Sequence, residues 1–540
     1  MNSTSILFGA PLHREVIPTL QWVEVASSFQ IPSFQIIGLP SPEVAEARDR
    51  IRSAIEAMGE EFPKRRVVLN LSPASVRKRG TGLDLAMALA ILASKAPIDL
   101  ETSFKVRIVA WGELGLDGRV KPIGQITRTL FASWQAGADF LIISQEDYSM
   151  ALDALAGIKG SQECSDSPPI LVPVENLREA WDLIVSKRIL KNEQPELPAR
   201  EAIHSVHFDH STLLPLSPAL ERIVGVAALG SHHLLLLGPK GTGKSHALDW
   251  LVALQEQVSP DLRLKTALLE ELRNFQSAVG QLSSQKNHFP VRRVGPQVKA
   301  PALVGGVTAS GVQVGEFSLA DGGVLIADEL PEWSRDSREA LREPLERGKV
   351  SLNRIHGSAE MPACFVLAAN GNLCPCGGLP AGISKSSVSE GHSDEFVPSA
   401  CICPERLRKN YLMRLSGPVL DRIDLFFLSV EFPRKNSGGA VDSKSAYDRI
   451  KEKINRCGEL NRARWGGPAG LITSQRLEEL LSENPKWRQE IERIPVSSLR
   501  RRHKLLRVAL SLSAWDELDQ PTAIHFFEAS CYRHENYGLF

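Results

Sequence analysis

The sequence has no surplus of either charge. Lys plus Arg and Asp plus Glu stand at 63 each in 540 residues, so no overall field draws the chain to nucleic acid or to a membrane surface, and such contacts must come from local patches. Nor is there a run approaching ~18 uninterrupted apolar residues. The first residues, MNSTSILFGAPLHREV, lack a charged segment followed by a long apolar core. These absences predict a soluble, cytoplasmic protein. Cysteine is scarce: eight in this length are too few for a disulfide scaffold, although four of them cluster between Cys374 and Cys403. A chain this long also exceeds one core and predicts roughly two to four domains.

What is present is most concentrated in Ser231–Ser245, SHHLLLLGPKGTGKS, an apolar run that opens into a glycine-rich turn. Gly238, Pro239, Lys240, Gly241, Thr242, Gly243, Lys244 and Ser245 fit G-x-x-x-x-G-K-[ST]. In that pattern backbone N–H groups wrap phosphates, the lysine meets the β- and γ-phosphates and the hydroxyl holds Mg²⁺. The spacing predicts a buried parallel strand over Leu234–Leu237 and a helix over His246–Leu254 whose N-terminus faces the anion. A second apolar strand, Val324–Ala327, delivers Asp328 and Glu329 at its carboxyl end, where an α/β sheet places ligand groups. Asp328 suits Mg²⁺, and Glu329 suits polarising the water that attacks a γ-phosphate. The strand Ala363–Ala369 ends at Asn370, which can orient that water or, alternatively, cap a helix.

The region 1–190 alternates apolar runs (Phe34–Leu39, Val67–Leu71, Val106–Ala110, Phe140–Ser144) with helical patterns (Pro42–Met58, Leu83–Ser94), which predicts an α/β or α+β domain. The glycine and aspartate punctuation of Gly112–Gly118 predicts a hairpin. Two stretches, ASVRKRGTGLDLAMALAIL and GELGLDGRVKPIGQI, resemble the Lon-protease-like fold. That family's peptidase uses a serine and a lysine. Here Gly82 stands at the serine position and Thr127 at the lysine position, so the resemblance implies a non-peptidase platform. The basic clusters Lys64-Arg65-Arg66 and Arg77-Lys78-Arg79 read either as solvated surface charge or as a phosphate-binding surface.

Over nearly its whole length the chain resembles the ComM/YifB family of magnesium-chelatase-like AAA+ proteins. The resemblance rests on VEVASSFQIPSFQIIGLP, EARDRIRSAI, GEFSLADGGVLIADELPEW, LREPLERGKVSLNR, AANGNLCPCGG, YLMRLSGPVLDRIDLFF and SLRRRHKLLRVALSLSAWD. It implies a multidomain α/β protein: a Lon-like domain over 1–190, a linker over 191–211, an AAA+ ATPase core over 212–435 and a helical lid over 436–540. It further implies a ring, a hexamer, with each ATP held between subunits. In Asp421-Arg422-Ile423-Asp424, Arg422 matches the arginine that reaches a neighbour's γ-phosphate, with Arg414 in reserve. An arginine suits that role because its planar charge is never lost. Arg500 matches the family's second sensor. Its alternative is surface charge in the run Arg500–Lys504 that touches DNA instead.

Cys374, Cys376, Cys401 and Cys403 match the family's C-P-C-G and C-x-C elements. They can close a tetrahedral zinc site, although C-x-C is tighter than the usual C-x₂-C, or stand as reduced thiols. Three departures touch the site. Lys240 replaces a second proline, a D-x-x-G-Q stretch is not recognisable in HFDHSTLLPLSPALERIV, and paired histidines have become Gly295-Pro296. The resemblance implies a DNA helicase acting on branched DNA during natural transformation, with Arg342–Arg354 forming a helix and hairpin that face the pore. The alternative is a metal-insertion or protein-remodelling motor.

Overall fold

The computed structural model describes residues 8–12, 17–72, 80–95, 106–158, 161, 167–192, 213–255, 259–274, 289–308, 311–354, 357–380, 400–430, 443–495 and 498–537. The cluster Arg77-Lys78-Arg79, most of the linker and the loop 381–399 lie outside these residues. The chain divides into two compact units that are not contiguous in sequence. The first holds Met1–His204, Val258–His288 and Thr308–Gln313, and the second holds the rest.

In the first unit the elements run β1 (Phe8–Leu12), β2 (Thr19–Ser28), β3 (Ser33–Ile37), α1 (Pro42–Ala57), β4 (Arg66–Ser72), α2 (Asp84–Lys95) and β5 (Ile108–Trp111). They continue with β6 (Glu113–Leu114), β7 (Val120–Lys121), α3 (Ile126–Gln135), β8 (Phe140–Ser144), α4 (Tyr148–Ile158), β9 (Ile170–Val174) and α5 (Leu177–Val185). Seven strands form one mixed sheet in the order β3-β4-β2-β1-β5-β8-β9. The strands predicted around Phe34, Val67, Val106 and Phe140 are all in it, and β6 and β7 form the hairpin that Gly112–Gly118 announced. Alanine and leucine line every side of α2, and its residues from Asp84 to Ala93 are buried, as a helix apolar all round must be.

Positions 82 and 127, matched above to a serine and a lysine, are each held in a defined contact. A Cβ at Gly82 would lie 2.3 Å from the Trp111 ring, so no serine fits there without displacing the indole. Trp111 is itself held by its Nε1–H, which donates to Gly124 O at 3.0 Å. At the other position the Thr127 and Arg128 N–H groups donate to the two oxygens of Glu271, at 3.0 and 2.9 Å. Gln125, the residue before α3, has a left-handed φ of 55° and supplies no side-chain cap, so Glu271 satisfies the orphan N–H groups of that helix start. Glu271 lies on α8 (Pro260–Asn274), which follows the phosphate-loop helix in sequence yet belongs to the first unit. Burial pushes its carboxyl above the usual range, against the pull of the Arg128 and Thr127 donors.

In the second unit come α6 (Pro218–Gly230), β10 (Leu234–Leu237), α7 (Lys244–Ala253), β11 (Val291–Val294), α9 (Ala300–Val304), β12 (Gly305–Thr308), β13 (Gly311–Val314), α10 (Glu316–Leu319) and β14 (Val324–Ala327), although Thr308–Gln313 of β12 and β13 count with the first unit. Then follow α11 (Arg335–Ala340), α12 (Arg342–Arg347), β15 (Lys349–Arg354), β16 (Gly357–Pro362), β17 (Val366–Gly371), α13 (Glu405–Leu412), α14 (Gly417–Leu420) and β18 (Leu425–Leu428). The chain closes with α15 (Ser443–Trp465), α16 (Ser474–Glu483), α17 (Pro485–Glu492), α18 (Leu499–Trp515) and α19 (Ala523–Cys531). A five-stranded parallel sheet has the order β11-β14-β17-β10-β18. β10 and β14 are buried at every residue, the signature of strands covered on both faces. Helices α15 to α19 contribute to the same hydrophobic cluster as Leu234 and Leu236 of β10. Among the described residues no helix is long and apolar enough to cross a membrane.

Glu271→Ala is expected to speed amide hydrogen exchange in the first turn of α3 by roughly 10- to 100-fold, the consequence of leaving two buried donors without an acceptor. Unchanged protection at Thr127 and Arg128 would show that the carboxylate does not hold that helix start.

Candidate functional site

The strand order builds the site. β17 lies between β14 and β10, so the carboxyl ends of three adjacent parallel strands present Asp328 and Glu329, Asn370, and the glycine-rich turn side by side. Asn370 is in β17 rather than at a helix start, which removes its capping role. Its Nδ2 donates to Asp328 Oδ1 at 2.8 Å and to Ser245 Oγ at 3.3 Å, while its Oδ1 accepts from the Glu329 N–H at 2.8 Å. One buried amide therefore ties the acidic strand end to the phosphate-loop hydroxyl. Glu329 itself takes a left-handed φ of 51°, which costs a non-glycine residue about 1 kcal/mol. The Asn370 bond and the Trp333 Nε1–H, which donates to Asp328 O at 3.0 Å, brace that turn. Asp328 is half-buried and Glu329 exposed, so both carboxylates can face a ligand.

Lys244 opens α7 and is folded back over its own loop, donating to Gly238 O at 2.9 Å and Pro239 O at 2.6 Å. Burial lowers its ammonium to about 8, with Glu329 opposing that shift and Lys240 adding to it. Phosphate oxygens arriving at the loop would replace two neutral carbonyls by anionic acceptors. Arg293 on β11 pairs with Asp249 and stands 3.6 Å from Asp328 Oδ2. Its neighbour Arg292 pairs instead with Glu316. The run Arg292-Arg293 was the available signal; which of the two faces the site depends on strand register.

The departures noted in the sequence have physical correlates. The Lys240 N–H donates to Gly377 O at 2.9 Å, and its side chain lies over Gly377, where a Cβ would come within 2.5 Å of Lys240 Cε. Gly377 has φ 75°, so glycine is required twice over. Gly295, by contrast, has nothing within 4 Å of a built Cβ, so packing does not demand glycine there. Of the segment before the loop, residues up to 212 lie outside the described set, and Leu214 O accepts from His246 Nε2 and Trp250 Nε1 at 2.7 and 2.9 Å.

Gly377 belongs to the cysteine cluster. Cys374, Cys376, Cys401 and Cys403 place their sulfurs within 4.8 Å of one another. Cys374 Sγ is 3.3 Å from both Cys376 Sγ and Cys401 Sγ, and Cys376 Sγ is 3.6 Å from Cys401 Sγ. The Gly378 N–H reaches Cys376 Sγ at 3.4 Å, and the Cys403 N–H reaches Cys401 Sγ at the same distance. The Gly378 donor pulls the Cys376 thiol down, whereas burial pushes Cys374 up. The short C-x-C spacing does not prevent the four sulfurs from converging, and four converged thiols fit the tetrahedral ligand set of zinc.

Arg422 and Arg500 are brought together, although nearly eighty residues separate them. Arg422 donates to Glu346 and, at 2.5 Å, to Pro418 O; Arg500 donates to the other oxygen of Glu346. Arg414 stands apart from this pair, bonded to Glu332 at 3.0 Å with its guanidinium over the Tyr411 ring. The basic run of α18 is largely consumed internally. Arg501 pairs with Asp421, His503 with Glu478 and Lys504 with Asp424.

Similarity to known proteins runs along most of the chain. The family model described as magnesium chelatase, subunit ChlI, matches residues 217–437, and that described as subunit ChlI of Mg-chelatase matches residues 23–147. The chain is 28% identical over 514 residues to competence protein ComM of Haemophilus influenzae, covering 95% of this chain and 94% of that protein. It is 29% identical over 517 residues to the uncharacterized protein YifB of Escherichia coli, covering 95% and 93%. An uncharacterized protein of Mycobacterium tuberculosis is 30% identical over 468 residues, covering 84% and 82%.

Because burial holds Lys244 near 8, and an anionic phosphate beside it would raise it, nucleotide binding is expected to take up a proton above that pH. Calorimetry in two buffers of different ionisation heat should show little uptake near pH 7 and close to one proton near pH 9, with affinity weakening as pH rises. Equal heats in both buffers at pH 9 would contradict it.

Proposed function

Since the chain belongs to the ComM/YifB family of magnesium-chelatase-like AAA+ ATPases, we propose that it is a ring motor, a hexamer, that hydrolyses ATP to drive a DNA helicase. Its task in this reading is branch migration during homologous recombination and natural transformation. The observation that carries the ATPase part is the Asn370 amide, which draws Asp328, Glu329 and Ser245 into one hydrogen-bonded set beside Lys244. Gly238–Ser245 would cradle the phosphates, Ser245 and Asp328 would hold Mg²⁺, and Glu329 would polarise the attacking water. The metal supplies charge neutralisation on the β- and γ-oxygens when bound.

Arg422, with Arg500 beside it, is assigned to the γ-phosphate held by a neighbouring subunit. The DNA part draws on similarity along most of the chain to a protein named for competence. It also draws on the helix α12 followed by the hairpin β15–β16, which we assign to the pore. We read 1–190 as a Lon-like platform without peptidase chemistry, 212–435 as the ATPase core and 436–540 as the lid. A metal-insertion motor is the second reading, favoured by the description of both matching family models.

Steady-state hydrolysis should rise with single-stranded DNA or a four-way junction, and more steeply at low salt. Glu329→Gln should lower kcat about 10²- to 10⁴-fold. Robust hydrolysis indifferent to every DNA form would favour the second reading, and no hydrolysis at all would remove the ATPase assignment.

For the cysteines we propose one structural zinc. Elemental analysis is expected to find about one zinc per chain, lost in Cys376→Ser. Because Gly377 O holds the Lys240 N–H of the phosphate loop, chelation should also weaken nucleotide binding measured by fluorescence titration. A zinc-free protein with unaltered affinity would show that the thiols stand unligated.

A further inference from the structure

Glu346 lies within the stretch LREPLERGKVSLNR, but no role has been given to its side chain. It lies in the last turn of α12, one residue before Arg347, and its two carboxylate oxygens are divided between two arginines from distant parts of the chain. Oε2 takes Arg422, which sits in the turn between α14 and β18, and Oε1 takes Arg500, in the first turn of α18. Arg422 is nearly buried, its side chain 10% exposed, whereas that of Arg500 is 44% exposed.

The two arginines bring two positive charges and Glu346 one negative charge, so the trio keeps a net positive charge. Without a carboxylate between them the two guanidinium groups would repel, and Arg500 would no longer be tied to Arg422, which keeps its bond to Pro418 O. α12 is itself anchored: Glu343, one turn earlier, accepts from the N–H and Oγ of Ser351 at 3.3 and 2.6 Å, tying it to β15.

We propose that Glu346 is a positioning residue for ATP hydrolysis, a single carboxylate that yokes Arg422 and Arg500 so that both present their remaining N–H groups to one phosphate of a neighbouring subunit. This rests on the reading above, in which those arginines serve a neighbour's nucleotide. The yoke fixes the spacing between an arginine of the turn before β18 and an arginine of the C-terminal helices, so the two act as one clamp rather than as two independent contacts. A purely structural ion pair predicts something different: lower thermal stability and unaltered turnover per folded ring.

The test is a double-mutant cycle on steady-state hydrolysis by the full chain, with ring assembly checked by native mass spectrometry and folding by thermal melting. Arg422→Ala and Arg500→Ala are each expected to lower kcat, the first by about 10³-fold. Glu346→Ala should lower kcat by about tenfold or more while KM moves by less than about threefold, because the loss is in orientation rather than in ground-state binding. Removing Glu346 after both arginines are gone should cost less than about twofold more, since coupled residues are not additive. Glu346→Gln keeps the side-chain size and serves if the alanine variant fails to fold. Its kcat should lie between wild type and alanine, and Glu346→Asp should recover part of the loss.

A full tenfold loss on removing Glu346 in the double-arginine background would overturn the yoke, because the carboxylate would then act elsewhere. So would an unchanged kcat with a lowered melting temperature. If the arginine substitutions themselves leave kcat untouched, the assignment of those residues to hydrolysis fails, and the yoke fails with it. If they lower kcat and Glu346→Ala does not, the assignment stands and only the yoke falls.

Discussion

The second unit turns on one buried amide. Asn370 can meet Asp328, Glu329 and Ser245 at once because β17 runs parallel between β14 and β10, so three strand ends finish at one level. Each strand is apolar and covered on both faces, which leaves their carboxyl ends as the place where polar groups emerge. The left-handed backbone at Glu329 is the cost of turning a carboxylate outward at that point, and it is tolerated because Asn370 accepts the Glu329 N–H.

Around that centre the molecule spends its charge locally. The balance of acidic and basic residues seen in composition reappears as specific pairs, such as Asp421 with Arg501 and Asp424 with Lys504, where the two aspartates flanking Arg422 clasp α18. Asp424 is held well below the usual carboxylate range: Lys504 and His232 outweigh the burial that would raise it. Arg422 and Arg500 share the single carboxylate of Glu346, so one net positive charge stays with that trio although the composition as a whole is neutral.

The first unit shows the complementary economy. Trp111 fills the space next to Gly82, so a larger side chain there would have to move the indole, and the carboxylate of Glu271 holds the backbone at Thr127. That Glu271 comes from a helix just after the phosphate-loop helix in sequence means the first unit is completed by a segment from the middle of the chain.

Local pattern carried much of this. The strand, glycine turn and helix at 234–253 are written in four leucines and a glycine-lysine turn, and Asp328 and Glu329 are marked by the apolar strand before them, because period and turn chemistry are short-range properties. The same holds for β8 and for the start of α18, whose Ser498 caps the Arg501 N–H. Sequence alone left Asn370 between two roles, passed over Arg293 and gave no sign that Glu346 meets two arginines or that α8 joins the first unit. Those were decided by strand order and register, which juxtapose residues forty to a hundred and fifty positions apart. Side-chain chemistry is encoded residue by residue. Which side chains share a carboxylate, a sulfur cluster or a strand end follows only from how the sheets and helices pack.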